Sequence, residues 1–198
     1  MTDELKRKLF HLCALIYVAG IIYLPRPAYL IVLAAAFAVA WTVERCRLSV
    51  PAFNAWFVGR FGGLLRPEEQ SRMSGVVWML AGVFITVALL PSVTLSAAAV
   101  LYLIFGDGVA SLAGKKIGGP HWPGSRRRPS GTFACLVACV IVGVLVLRPA
   151  YGWSAVVVGA AAATLLEMGV IPLDDNFTIP AGTAVVLWLF YGRIGTGF

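Results

Sequence analysis

The sequence predicts an all-α, polytopic integral membrane protein with about seven transmembrane helices, its N-terminus cytoplasmic and its C-terminus outside. Three observations point there. Of 198 residues, 60% are apolar and only 13% charged, where a soluble domain carries roughly 45–50% and about 25%. Apolar runs recur along the whole chain, and basic residues gather on alternate connections between them. A single membrane domain over residues 1–198 is the simplest organisation.

The runs fall at Phe10–Leu24, Ala28–Val43, Gly75–Leu90, Leu95–Phe105, Thr132–Leu147, Ala155–Leu166 and Ile179–Tyr191. Most are shorter than the roughly 20 residues of a straight span, so the helices are expected to reach into their polar flanks. The leading segment MTDELKRKLF has acids and no small-residue cleavage site, so the first run is read as a retained helix. Orientation follows from the basic residues. Lys6, Arg7 and Lys8 precede the first run; Arg45, Arg47, Arg60, Arg66 and Arg72 lie between the second and third; Lys115, Lys116, Arg126, Arg127 and Arg128 lie between the fourth and fifth. Thirteen of the sixteen thus share one side, leaving Arg26, Arg148 and Arg193 opposite. The positive-inside bias makes the rich side cytoplasmic and accounts for the net charge of +7 without nucleic acid.

The same topology places all nine acids on the cytoplasmic side, while the outer connections Pro25–Pro27, Pro91–Ser92 and Arg148–Trp153 carry none. A transporter places polar groups near the midplane and opens to both faces. One-sided chemistry fits an enzyme working at the inner face. Cys13, Cys46, Cys135 and Cys139 show no ligand spacing and read as small buried hydrophobes.

Four constellations carry the chemistry. In LIFGDGVASLAGKKIGG, Asp107 sits between Gly106 and Gly108 where the fourth run ends. If the helix continues, Asp107, Ser111 and Lys115 share one face, with Lys116 beside them, and Gly106, Ala110, Gly114 and Gly118 form a ridge for helix packing. In GSRRRPSGTFACL, Arg126, Arg127 and Arg128 precede Ser130, Gly131 and Thr132 at a helix start. Backbone N–H groups and guanidinium forks there suit a phosphate, although an N-cap after a topology cluster accounts for much of the pattern. In EMGVIPLDDNFTIP, Glu167 closes the sixth helix, and Asp174, Asp175 and Asn176 precede the seventh, with Pro180 expected in its first turn. These are oxygen donors, which suit Mg²⁺. Lys8, His11 and Glu69 are additional candidates from the tail and from the loop RFGGLLRPEEQSRMSG, which otherwise reads as solvated.

Phosphate-binding cations and Mg²⁺-binding acids on one face are the parts of a phosphoryl-transfer site. No Walker A pattern and no protein-kinase signature is present, so the site belongs to a different, membrane-embedded fold whose acceptor lives in the bilayer.

The motifs resemble the polyprenol kinases, which include dolichol kinases, phytol kinases and CTP-dependent diacylglycerol kinases. RKLFHLCAL resembles that family's N-terminal RKxxH block, and RPEEQSRMSGVVWMLAG its E…G…G block. GDGVASLAGKKIG resembles GDxxAxxxGxxxG, and E…LDDNFTIP resembles the C-terminal E…DDNxxIP block. One element departs: RRRPSGT stands where the family has a K-S-x-E-G-T-like stretch, with Arg for Lys and Ser130 for Glu.

The resemblance implies a kinase that moves the γ-phosphoryl group of a nucleoside triphosphate, typically CTP with ATP as the alternative, to a lipid alcohol such as a polyprenol, phytol or diacylglycerol. Asp107, Asp174, Asp175 and Asn176 are then the expected Mg²⁺ set. Asp107, Asp175 and Glu167 are the expected catalytic acids, with Asp175 favoured as the base that takes the hydroxyl proton. Ser111, Lys115, Lys116, Arg126, Arg127, Arg128, Ser130, Gly131 and Thr132 are expected to hold the nucleotide. A fainter resemblance to phosphatidate cytidylyltransferases supplies a second reading, and a non-catalytic transporter or anion-binding protein a third. The expected location is a bacterial-type cytoplasmic membrane. The small-residue face Gly159–Ala163 can pack within one subunit or across a homodimer.

Overall fold

A computed structural model describes residues 11–125 and 127–192. Among these the chain is helical throughout, with no strand: α1 Leu15–Tyr23, α2 Arg26–Ser49, α3 Pro51–Phe61, a 3₁₀ turn Pro67–Gln70, α4 Gly75–Leu89, α5 Val93–Ile117, α6 Pro129–Val146, α7 Arg148–Glu167 and α8 Asp175–Tyr191. Helices α2, α5, α6 and α7 are long and apolar enough to cross a membrane, and α4 is apolar but shorter. Their outer faces carry exposed Ile31, Phe133, Leu145 and Val157, the surface expected of helices bathed in lipid rather than water. The protein is an integral membrane protein.

The predicted runs from Ala28 onward each fall in a helix, and the described part of the first coincides with α1. Local chemistry sets the ends. Pro27, Pro51 and Pro129 occupy opening turns, where a missing N–H costs nothing. Ser92 caps α5 by accepting from the Leu95 N–H. Arg26 donates to the carbonyls of Val87 at 3.0 Å and Ala88 at 2.6 Å, satisfying the end of α4.

Two features differ from the sequence reading, and one that it left open is decided. The helix at Gly106–Asp107–Gly108 does not stop; it loosens into a π turn over Tyr102–Asp107 and resumes to Ile117. Helix α7 begins at Arg148, and Gly152 at φ +75° supplies the break within what was read as a connection. Helix α8 begins at Asp175, so Pro180 lies in its second turn rather than its first.

Close approach between helices is bought by glycine. A Cβ on Gly82 would lie 2.8 Å from the Asn176 carbonyl oxygen and 2.9 Å from Pro180, so α4 rests directly on α8. Gly143 and Gly159 leave a notch for Tyr102, whose hydroxyl would meet a Cβ at 2.9 and 2.8 Å. Gly106 faces the sulfurs of buried Cys135 and Cys139, and Gly131 faces the Ala110 carbonyl. The small-residue ridge of α5 therefore packs against α6. Helix α5 is shared by both apolar cores: one gathers α5–α8 around Tyr102, Cys139, Ala163 and Leu187, the other joins α1, α2 and α4 through Leu33, Val83 and Val100.

The second-to-third connection is not simply a solvated loop. Arg47 is fully buried; it pairs with Glu44 at 2.7 Å and donates to the carbonyls of Glu69, Gln70 and Arg72 and to Asn54 Oδ1. Glu44 in turn accepts from the Ser74 N–H at 3.0 Å. The guanidinium thus fastens residues 69–74 to the end of α2. Arg47→Ala leaves Glu44 buried without its partner, a loss of about 3–5 kcal/mol, seen as a lowered thermal midpoint in detergent. Arg47→Lys is expected to recover only part of it, because one ammonium cannot span five acceptors.

Candidate functional site

Three helices deliver one carboxylate each to a common point. Asp107 comes from the π turn of α5, Glu167 from the last residue of α7, and Asp175 from the first residue of α8. Arg127 stands among them. Its Nη1 lies 3.4 Å from Glu167 Oε1 and 3.7 Å from Asp107 Oδ1, and its Nη2 contacts Asp175 Oδ2. Asp107 and Glu167 are buried, and the oxygen of Asp107 that faces Arg127 has no hydrogen-bond partner among the described residues.

The loop that carries Arg127 is fastened on both sides. Arg128 Nη1 donates to the Gly114 carbonyl at 2.7 Å, and Ser130 Oγ donates to the Gly118 carbonyl at 3.1 Å, tying the loop to α5. Ser125 Oγ donates to the Met168 carbonyl at 3.0 Å, tying it to the end of α7. Thr132 accepts from Trp122 Nε1 at 3.0 Å and reaches Glu167 Oε2 at 3.4 Å. Gly131 keeps the start of α6 against Ala110 and Gly114. Two arginines of the described cluster therefore differ: Arg128 anchors, and Arg127 points into the acids.

Asp174 and Asn176 face each other. Asp174 Oδ1 accepts from the Asn176 N–H at 3.0 Å and from its Nδ2 at 2.8 Å, forming the N-cap of α8. Asn176 is buried beside Gly75, where an added Cβ would fall 2.5 Å from Asn176 Nδ2. Glu69 closes the neighbouring loop, accepting from the N–H groups of Gly75 at 2.8 Å and Arg66 at 2.7 Å.

These groups open onto a cavity of about 1020 Å³, at the upper end of the roughly 300–1,000 Å³ of small-molecule sites. Asp107, Ser111, Lys115, Arg127, Asp175 and Asn176 line it, and His11, Glu44, Arg66, Glu68, Glu69 and Ser74 are also on its walls. The shared face of Asp107, Ser111 and Lys115 thus looks into one space. Lys116 is exposed and is not among the lining residues; Lys8 and Arg126 lie outside the described residues. The sequence reading missed Glu44, Arg47, Phe57 and Phe61, which lie on or beside these walls; the only available signal was an acid and a base three apart at the close of an apolar run.

Among the described residues, no three His, Cys, Asp or Glu side chains are placed to hold a metal ion by themselves. The cluster is nevertheless built around positive charge, since three carboxylates converge on one guanidinium.

Comparison with known proteins gives a consistent answer. The chain is 30% identical over 169 residues to "CTP-dependent diacylglycerol kinase 1" of Schizosaccharomyces pombe, covering 77% of each chain. It belongs to the polyprenol-kinase family of lipid kinases. It is also 27% identical over 195 residues to "Phytol kinase" of Synechocystis, covering 93% of this chain and 78% of the relative. An uncharacterized protein of Rickettsia prowazekii is 26% identical over 195 residues, 94% of both. No family profile and no solved structure matches the chain. Asp107 of the GDG motif and Asp175 of the LDDN motif meet at Arg127, together with Glu167.

Arg127→Ala removes the cation shared by three acids and is expected to lower stability by about 1–3 kcal/mol. Arg127→Ala combined with Glu167→Gln should recover part of that loss. Thermal unfolding of the four members of this double-mutant cycle measures the coupling.

Proposed function

We propose that the protein phosphorylates a membrane-embedded alcohol with a nucleoside triphosphate as donor, CTP in the first instance, at the cytoplasmic face of a bacterial-type membrane. One observation carries this: Asp107, Glu167 and Asp175, brought from three helices, share Arg127, and Asp107, Asp175 and Arg127 line a cavity that also has apolar walls. Membership in a lipid-kinase family and a relative named for CTP dependence support the reading. The positive-inside count supports seven spans with the N-terminus inside, the shorter helices α1, α4 and α8 crossing together with the four long ones.

Arg127 and Lys115 serve as the phosphate cations, Arg127 leaving its present position among the acids to fork onto the triphosphate. The donor set fits Mg²⁺, which is bound by one or two carboxylates plus substrate phosphates rather than by an all-protein cage; this accounts for three acids that do not assemble a metal cluster alone. Asp107 and Asp175 are the metal-facing pair, and bound Mg²⁺ supplies neutralisation of charge on the β- and γ-phosphates. Asp174 supports Asn176 and the start of α8. Asp175 accepts the hydroxyl proton of the lipid as its oxygen bonds to the γ-phosphorus; the bond from that phosphorus to the β-phosphate oxygen breaks, and the nucleoside diphosphate leaves. A homodimer remains compatible with the exposed faces of α6 and α7.

Purified protein with radiolabelled CTP or ATP, Mg²⁺ and a panel of phytol, farnesol, undecaprenol and diacylglycerol is expected to label at least one lipid and release the nucleoside diphosphate. No labelled lipid overturns the proposal, and release of pyrophosphate with a CDP-lipid assigns a cytidylyltransferase instead. Asp107→Asn and Asp175→Asn should each reduce transfer by about 10²-fold or more while the thermal midpoint stays close to wild type. Chelation of divalent cations should abolish transfer, and added Mg²⁺ should restore it.

A further inference from the structure

The cavity also has walls that the phosphoryl-transfer chemistry does not use. Among its lining residues are Ala40 and Val43 of α2, Phe57 and Phe61 of α3, Leu65 of the following loop and Met79 of α4, beside the polar Arg66, Glu68 and Ser74. None of the six apolar side chains offers a hydrogen bond that could read a nucleobase. Of the charged groups on these walls, Glu44 is already committed to Arg47 and to the Ser74 N–H.

The position of these walls in the fold says what they meet. Ala40 and Val43 belong to a helix long and apolar enough to span the bilayer, and Val39 and Trp41 beside them are exposed. The other wall, α3, is eleven residues long, too short to span, and buries none of its side chains. It carries four aromatic rings, with Phe53 stacked on Trp56 at 5.7 Å and Phe57 packed on Phe61 at 5.0 Å. An exposed Trp56 beside Arg60 has the composition of a helix lying at the membrane–water boundary. The slot between α2 and α3 therefore offers apolar side chains in the same cavity as Asp107 and Asp175, and is walled by one spanning and one interfacial helix.

We infer that this slot holds the hydrocarbon chain next to the reacting hydroxyl of the lipid alcohol, with α3 as the side wall through which the chain passes to the bilayer, and that Ala40, Val43, Phe61 and Leu65 set which chains are accepted. The inference rests on the kinase reading for the word alcohol, and adds where the chain lies and what selects it. A straight or lightly branched chain threads between the two helices while its head reaches Asp107 and Asp175. The aromatic pair Phe57–Phe61 lines the wall without demanding a fixed chain shape.

The test uses the full-length protein in detergent with a C20 isoprenoid alcohol that carries a diazirine on its chain. Irradiation is expected to place adducts on Val43, Phe61 or Leu65, and excess phytol is expected to suppress them. Adducts confined to the outer faces of α6 and α7, or indifferent to phytol, overturn the inference. Ala40→Trp, which fills the slot from α2, and Leu65→Trp, which fills it from the loop, should each cut the adduct yield by about 10-fold with the nucleotide KM unchanged. In turnover they should lower kcat/KM for phytol far more than for a five-carbon alcohol. An undiminished adduct yield in whichever variant folds, or a raised nucleotide KM with phytol unaffected, assigns the slot elsewhere. Suppressible adducts without any phosphoryl transfer would remove the kinase reading and leave the slot standing.

Discussion

The arrangement depends on one cation in the wrong company. Among the described residues Arg127 is the guanidinium to which Asp107, Glu167 and Asp175 all turn, and without a positive charge there the three acids would repel one another at the edge of hydrocarbon. The rest of the site serves that meeting. Arg128 and Ser130 tie the loop to α5, Ser125 ties it to α7, and Gly131 lets α6 start close enough for the loop to reach. Such a contact holds three helices together. On the proposed function, triphosphate and metal would compete for the same charges.

Much of this was legible in the sequence, and the parts that were not share a cause. Hydropathy placed the apolar helices, because lipid requires long runs of apolar residues whatever the tertiary fold. The acids of GDG and LDDN stood out because charge in that setting is rare. Periodicity alone left open whether the helix continues through Asp107; the structure continues it, and Ser111 and Lys115 then share the wall of one cavity. Arg47 was read as one more topology charge, since nothing in its neighbourhood shows that it turns inward to meet Glu44 and three carbonyls. The three arginines before Pro129 look equivalent in sequence. Only tertiary packing separates Arg128, which bonds a backbone carbonyl, from Arg127, which does not. Helix α3 was hidden because its residues are neither apolar enough to span nor polar enough to mark a loop.

The walls of the cavity explain why the helices divide as they do. Helices α5–α8 form a compact core through Tyr102, Gly143 and Gly159 and contribute the charged side chains. Helix α2 and its appendage α3 contribute apolar walls and stand further out, α3 packing mainly on α2. Placement of Asp107, Glu167 and Asp175 thus falls to the α5–α8 core.

The π turn at Tyr102–Asp107 has a consequence for the phase of the site. Such a turn holds one residue more than the regular helix of the same rise, and each residue advances the helix by about 100°. Everything beyond it on α5, including Ser111, Lys115 and the carbonyl of Gly114 that receives Arg128, owes its azimuth to that extra residue. Were the same residues wound instead as a regular helix throughout, Ser111 and Lys115 would lie about a quarter turn away from the side they now share with Arg127. The bearing of the site is thus encoded as an insertion, a property of chain length within one helix that no side-chain substitution reproduces.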